Sequence, residues 1–173
     1  MRTKGKFALL FALSILAVCA APSAAKGQAA RTPRTKEVKL YFPKDGESPD
    51  LSRNPFNLQP VKRTVNAAAP VRGAVEALLK GPTGEEERQG FHALDAQGLY
   101  VTKLTLRGGT AHASFRRRGR PVWAGDLAPD TFRQSVERTL RQFPEVRRTI
   151  VCVDGLLNFG GLGDNVPDKK CPK

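Results

Sequence analysis

The chain has 173 residues, 29 basic and 16 acidic, for a formal net charge of +13. Such a surplus favours anionic partners: lipid headgroups, anionic cell-wall polymers or acidic proteins. The two histidines, His92 and His112, stand apart from any Cys or His at metal-ligand spacing, so composition argues against a metal centre.

Arg2, Lys4 and Lys6 precede an apolar run of 12 residues, Phe7 to Val18. That is shorter than the roughly 20 residues that span a bilayer. It suits the apolar region of a secretory signal, about 7–15 residues long. Ser23-Ala24-Ala25 supplies the small residues of a cleavage site, which is placed after Ala25. An alternative is a lipid anchor at Cys19, although the branched Val18 is unusual before a lipidated cysteine. Residues 1–25 are thus expected to be a signal peptide, and the remainder is expected to be soluble outside the cytoplasm. Removing three basic residues from +13 leaves +10. Nucleic acid matches that charge but lies in the wrong compartment.

Residues 26–36 (KGQAARTPRTK) read as a disordered basic leader. Lys36 to Phe42 alternates, with Val38, Leu40 and Phe42 on one face, as in a half-buried strand. Pro43 to Pro60 reads as a long loop. Val61 to Val65 is a second short strand, and Arg63 on its apolar face marks an edge or faces solvent at a twist. Pro70 opens a helix with Val71, Ala74, Val75, Leu78 and Leu79 on one stripe. Gly81-Pro82 ends it. Thr83 to Gln89 suits a short helical turn, with Phe91 and Leu94 as anchors. Leu99 to Arg107 and Thr110 to Arg116 form a hairpin about Gly108-Gly109. Pro129 starts a second helix whose core stripe is Phe132, Val136, Leu140 and Phe143; Pro144 stops it. Ile150 to Val153 is a buried strand, and Asp154-Gly155 turns the chain into a Gly- and Lys-rich tail, residues 156–173. The order β-β-α-β-β-α-β predicts an α+β sandwich: one small mixed sheet with two helices on one face.

Outside the signal two cysteines remain, Cys152 and Cys171. In an oxidising compartment they are a disulfide candidate. The alternative is a buried thiol and a stray tail cysteine. No nucleophile elbow or base-partnered nucleophile is visible, so no catalytic residue and no cofactor is assigned. Gly81-Pro82-Thr83-Gly84 formally matches a nucleic-acid-binding GXXG loop, but it reads as a helix cap and turn, and three following glutamates would repel phosphate. The densest basic cluster is Arg116, Arg117, Arg118 and Arg120, with Trp123 close by. Either it is a solvated loop with the tryptophan folded over the core, or it is an anion- or partner-binding patch with the tryptophan as a stacking platform.

Four segments together resemble the GerMN domain of sporulation and spore-germination proteins. They are VKLYFPKDG from Val38, PVRGAVEALLKGPTGEEERQGF from Pro70, LYVTKLTLRGGTAHASF from Leu99 and FRQSVERTLRQFPEVRRTIVCVDG from Phe132. They cover a domain at residues 37–155. Two features depart from the family pattern: Leu94 is followed by Asp95-Ala96-Gln97-Gly98, and arginines replace the acidic position after the second hairpin strand. The resemblance implies a fold similar to ring-building modules. It also implies a non-enzymatic role in the bacterial envelope, in the periplasm or at the cell surface. The implied partner is an envelope protein or another copy of the chain, with anionic polymer or a membrane surface as the alternative.

Overall fold

The structure, a computed structural model, describes residues 34–48, 50–119, 123, 125–160 and 169–172. The expected signal peptide, Cys19, most of the basic leader and Arg120 lie outside the described residues. Among the described residues the order is β1 (Thr35–Pro43), β2 (Leu58–Asn66), α1 (Pro70–Leu79), α2 (Gly84–Arg88), β3 (Leu99–Arg107), β4 (Thr110–Arg117), α3 (Ala128–Arg141) and β5 (Arg148–Val153).

The α+β class holds. The expected single sheet, however, is divided in two: an antiparallel β1-β2 pair and a three-stranded sheet ordered β3-β4-β5. The second sheet is mixed, because β4 runs antiparallel to β3 and parallel to β5. The two long helices pack against each other between the sheets. Helix α1 lies against β1, β2 and β3, and α3 lies against β1 and β5.

The reason for the division lies at the outer edge of β1. Tyr41 stands opposite Pro60 in the ladder. Pro60 has no N–H, so this is a non-hydrogen-bonded pair, and the backbone groups of Lys39 and Tyr41 point away from β2. Side chains of α3 and of Gln142, its C-cap, meet them. The Gln142 amide accepts from Lys39 N–H and donates to Lys39 C=O, both at 2.7 Å. Thr139 Oγ1 accepts from Tyr41 N–H at 3.4 Å, and the Ser135 hydroxyl donates to Tyr41 C=O. Ser135, Thr139 and Gln142 recur at i, i+4 and i+7, so they line one face of the helix. A third strand at this edge would have to displace them.

The core forms where the sequence pattern places it. Val38, Leu40 and Phe42 of β1 are buried, as are Ala74, Val75 and Leu78 of α1 and Phe132, Val136 and Leu140 of α3, with Phe143 just beyond its end. Phe91 and Leu94 anchor the segment after α2. Gly81, at φ +83°, takes the left-handed position after α1. Thr83 caps α2, receiving the Glu86 N–H while the Glu86 carboxylate receives the Thr83 N–H. The GXXG match is therefore a helix cap followed by a capping box. Gly108 and Gly109, at φ +54° and +74°, supply the two left-handed positions of the tight hairpin turn.

Arg63 neither faces solvent nor stays unpaired. Its guanidinium forks onto both carboxylate oxygens of Glu86, with the two side chains only 21% and 15% exposed. The same carboxylate thus ties β2 to the start of α2. The Arg63 hydrogen bonds hold the Glu86 carboxyl down to about 2, from an ordinary 4.5, against the opposing effect of burial.

Two predictions follow from these contacts. Ser135→Ala leaves Tyr41 C=O facing the helix without a donor and should lower unfolding stability by about 1–3 kcal/mol, read from the urea midpoint. Glu86 titrates lower folded than unfolded, so its stabilisation is complete above about pH 4.5 and is lost as pH falls toward 2. Its size is on the order of 3 kcal/mol. The stability gap between the wild type and Glu86→Gln should close across that window in urea titrations.

Candidate functional site

The basic cluster straddles the end of β4, where strand alternation separates its members. Phe115 is buried, Arg116 exposed, Arg117 half-buried and Arg118 exposed. The Arg118 guanidinium lies 5.2 Å from the Tyr100 ring.

Arg117 turns inward. Its N–H donates to Asp154 Oδ1 at 3.1 Å and its Nη1 to Gln97 C=O at 2.9 Å. Its guanidinium sits 4.4 Å from the centre of the Trp123 ring, a cation–π distance. Trp123 in turn lies 5.8 Å from Phe159, nearly stacked, and 5.8 Å from Phe132. Phe132 meets Phe115 edge-on at 5.2 Å, and Arg133 lies 4.3 Å from the Phe159 ring. Trp123 is therefore built into an aromatic nest between arginines, and its ring is not a free stacking platform. Of the expected patch, the structure leaves Arg116 and Arg118 as outward cations.

Phe159 was expected in the tail, yet it is 5% exposed and belongs to the core. Tail contacts hold it there. Leu157 N–H donates to Lys169 C=O at 2.7 Å, and Cys171 N–H to Gly155 C=O at 2.9 Å. Cys152 and Cys171 stand at disulfide distance, with Cα atoms 6.0 Å apart and a sequence separation of 19. A bridge closing a loop of that size is worth about 3 kcal/mol.

His92 Nε2 lies 2.6 Å from Asp45 Oδ1, and both side chains are more than half exposed. This pair clips the β1-β2 loop to the segment after α2. Nearby, Asn57 Nδ2 donates to Lys44 C=O at 2.9 Å and Gly46 C=O at 3.2 Å, which gives the long loop its shape. Among the described residues, no group of three or more His, Cys, Asp or Glu side chains is arranged to hold a metal ion.

Two further features carry no motif. The outer edge of β3 has exposed apolar side chains, Tyr100 and Leu106. A cleft beside the N-terminal end of β5 gathers Arg141, Arg147 and Arg148. The Arg147-Arg148 doublet before the predicted strand was the only sequence signal for the cleft, and it becomes informative only when α3 brings Arg141 alongside.

The fold and the sequence agree with one group of known domains. The sequence model of the Germane family, described as sporulation and spore germination, matches residues 39–157. The first GerMN domain of the sporulation protein GerM from Bacillus subtilis is similar in structure, with a TM-score of 0.53 and 21% identity over 79% of this chain and 94% of that one. The tandem GerMN domains of the same protein give a TM-score of 0.52 and 17% identity, covering 70% of this chain. This chain spans 39% of that tandem chain. No curated protein matches the chain in sequence. The chain belongs to the Germane family of GerMN-type domains.

Proposed function

We propose that this chain is a non-enzymatic interaction domain of the bacterial envelope, acting outside the cytoplasm, and that it binds a protein partner by pairing a strand with the outer edge of β3. The open β3 edge carries this reading. The two-residue turn at Gly108-Gly109 makes Arg107 and Thr110 the closing hydrogen-bonded pair. Leu106 opposite Ala111 and Leu104 opposite Ala113 are then non-bonded pairs, with backbone N–H and C=O directed away from β4. No described backbone group bonds them. An edge of this kind recruits an extended segment through main-chain hydrogen bonds, and the side chains beside it set specificity.

The outer edges of β1 and β3 differ sharply. That of β1 is occupied by Ser135, Thr139 and Gln142, whereas that of β3 is bare and flanked by the 40%-exposed Leu106. A bulge limits the open stretch. Thr102 is the extra residue between Val101 and Lys103, and its hydroxyl donates to Ser114 C=O at 3.0 Å. With the bulge and Lys103 before it, the pairing segment reduces to Leu104–Arg107. A short edge of that kind suits one dedicated partner better than indiscriminate strand addition. Family membership and the apolar N-terminal leader support the envelope setting.

The test is site-specific photocrosslinking in intact cells with the reactive group at Leu106, compared with Lys62 on β2. A discrete adduct at Leu106 that disappears in a Leu104→Pro background, which removes an outward-facing N–H, supports edge pairing. Circular dichroism of the purified variant separates this from unfolding, and Leu104→Lys is the replacement if the proline variant does not fold. Equal adducts at both positions, or none at Leu106, would overturn the reading. Sedimentation of the purified domain identifies the occupant: mass rising with concentration, and suppressed by Leu104→Lys, makes the partner a second copy.

A further inference from the structure

The cleft beside β5 gathers three arginine side chains. It is lined by Thr110 and His112 of β4, Arg141 at the end of α3, Arg147 in the connection, and Arg148 and Thr149 of β5, and its volume is about 390 Å³. No carboxylate lines it. Arg141 has one partner, Glu137, at 3.0 Å. Neither Arg147 nor Arg148 has an acidic partner among the described residues. The attraction of cations to a helix C-terminus accounts for Arg141 but not for the other two.

Two details make this more than a run of surface arginines. First, the backbone beneath them is fixed. Gly109 C=O accepts from both Arg147 N–H at 2.7 Å and Arg148 N–H at 3.0 Å, so the hairpin turn sets where the two side chains depart. Secondly, Thr149 Oγ1 is buried and has no hydrogen-bond partner among the described residues. A buried hydroxyl is nearly always satisfied, so a residue of the cleft wall is left with an unused donor.

We propose that this cleft binds a phosphate group. Guanidinium forks match pairs of oxygens on a tetrahedral anion, and a dianion offsets three converging cations better than a carboxylate does. The cleft has room for more than a bare phosphate ion, so the group can be carried by a larger molecule, either a phospholipid headgroup or a soluble phosphorylated compound. This proposal does not depend on the β3 edge.

The test uses inorganic phosphate as probe, titrated into the purified chain at constant ionic strength and followed by amide NMR shifts. Arg147→Gln with Arg148→Gln should weaken binding about tenfold or more. Lys62→Gln with Lys80→Gln, which removes the same charge elsewhere, should leave binding within about twofold if the charged contact is local. If the glutamine pair does not fold, Arg147→Lys with Arg148→Lys keeps the charge, loses the fork and should still weaken binding. Pelleting with phosphatidylglycerol vesicles, against phosphatidylcholine controls, then separates the sources. Retention that phosphate competes away points to a headgroup, and phosphate binding without retention points to a soluble ligand. Equal weakening in both double-glutamine variants, or no shift with phosphate beyond that with chloride, overturns the proposal.

Discussion

The architecture depends on a helix taking the place of a strand. Ser135, Thr139 and Gln142 present to β1 the donors and acceptors that a neighbouring strand would have offered at Lys39 and Tyr41. Where that edge is partly buried, at Tyr41, backbone groups cannot be left unpaired without a cost comparable to a lost hydrogen bond. The polar face of α3 removes that cost and ends the first sheet at two strands. The same helix carries Phe132, Val136 and Leu140 into the core, each fully buried. One helix therefore supplies both the apolar contacts and the polar termination, and its rotation is fixed by two independent sets of contacts.

The second organising unit is the aromatic nest at the other side of the core. Phe115, Trp123, Phe132 and Phe159 come from β4, the loop before α3, α3 itself and the segment after β5. Arg117 and Arg133 lie against its rings, so two cations serve packing as well as solubility. The Cys152–Cys171 pair and the backbone bonds around Leu157 hold the C-terminal segment against this nest. Of the arginines after Phe115, the innermost is thus structural, which narrows any ligand-binding role to its outward neighbours.

What could be read from the sequence was whatever local periodicity reports. The apolar stripe of α3, the alternation in β1, the Gly108-Gly109 turn and the Gly81 stop each follow from residues within a few positions of one another. The contacts that divide the sheet do not. Ser135 and Thr139 look like ordinary polar interruptions until β1, 94 to 98 residues earlier in the chain, arrives beside them. Arg63 was legible as an anomaly on an apolar face, but its partner Glu86 lies on another element. Trp123 and Phe159 were obscured in the same way. Composition marks their surroundings as loop and tail, while burial is decided by what packs over them. For the candidate site, sequence density singled out Arg116 to Arg120. Spatial convergence instead favours Arg141, Arg147 and Arg148, which sequence separates into a helix end and a doublet.

The hairpin turn joins the two surfaces to which binding is assigned. Leu104–Arg107 leads into Gly108-Gly109, and Gly109 C=O holds the N–H groups of Arg147 and Arg148. Thr110, directly after the turn, lines the phosphate cleft and stands in register with Arg148. A strand added to β3 and an anion held beside β5 would therefore flank the same short turn on a three-strand sheet, with only β4 between them. A Cβ at position 109 would approach Arg147 Cδ to 3.3 Å, and the residue's φ is +74°. Glycine there serves both the turn and the close seating of the arginine loop. The two bonds to Gly109 C=O tie the tip to the arginine connection, and that tie sets the spacing between the open edge and the cationic cleft. A partner with an extended segment and a nearby phosphate would meet both features in a preset geometry, with less ordering entropy lost on binding than on a flexible surface.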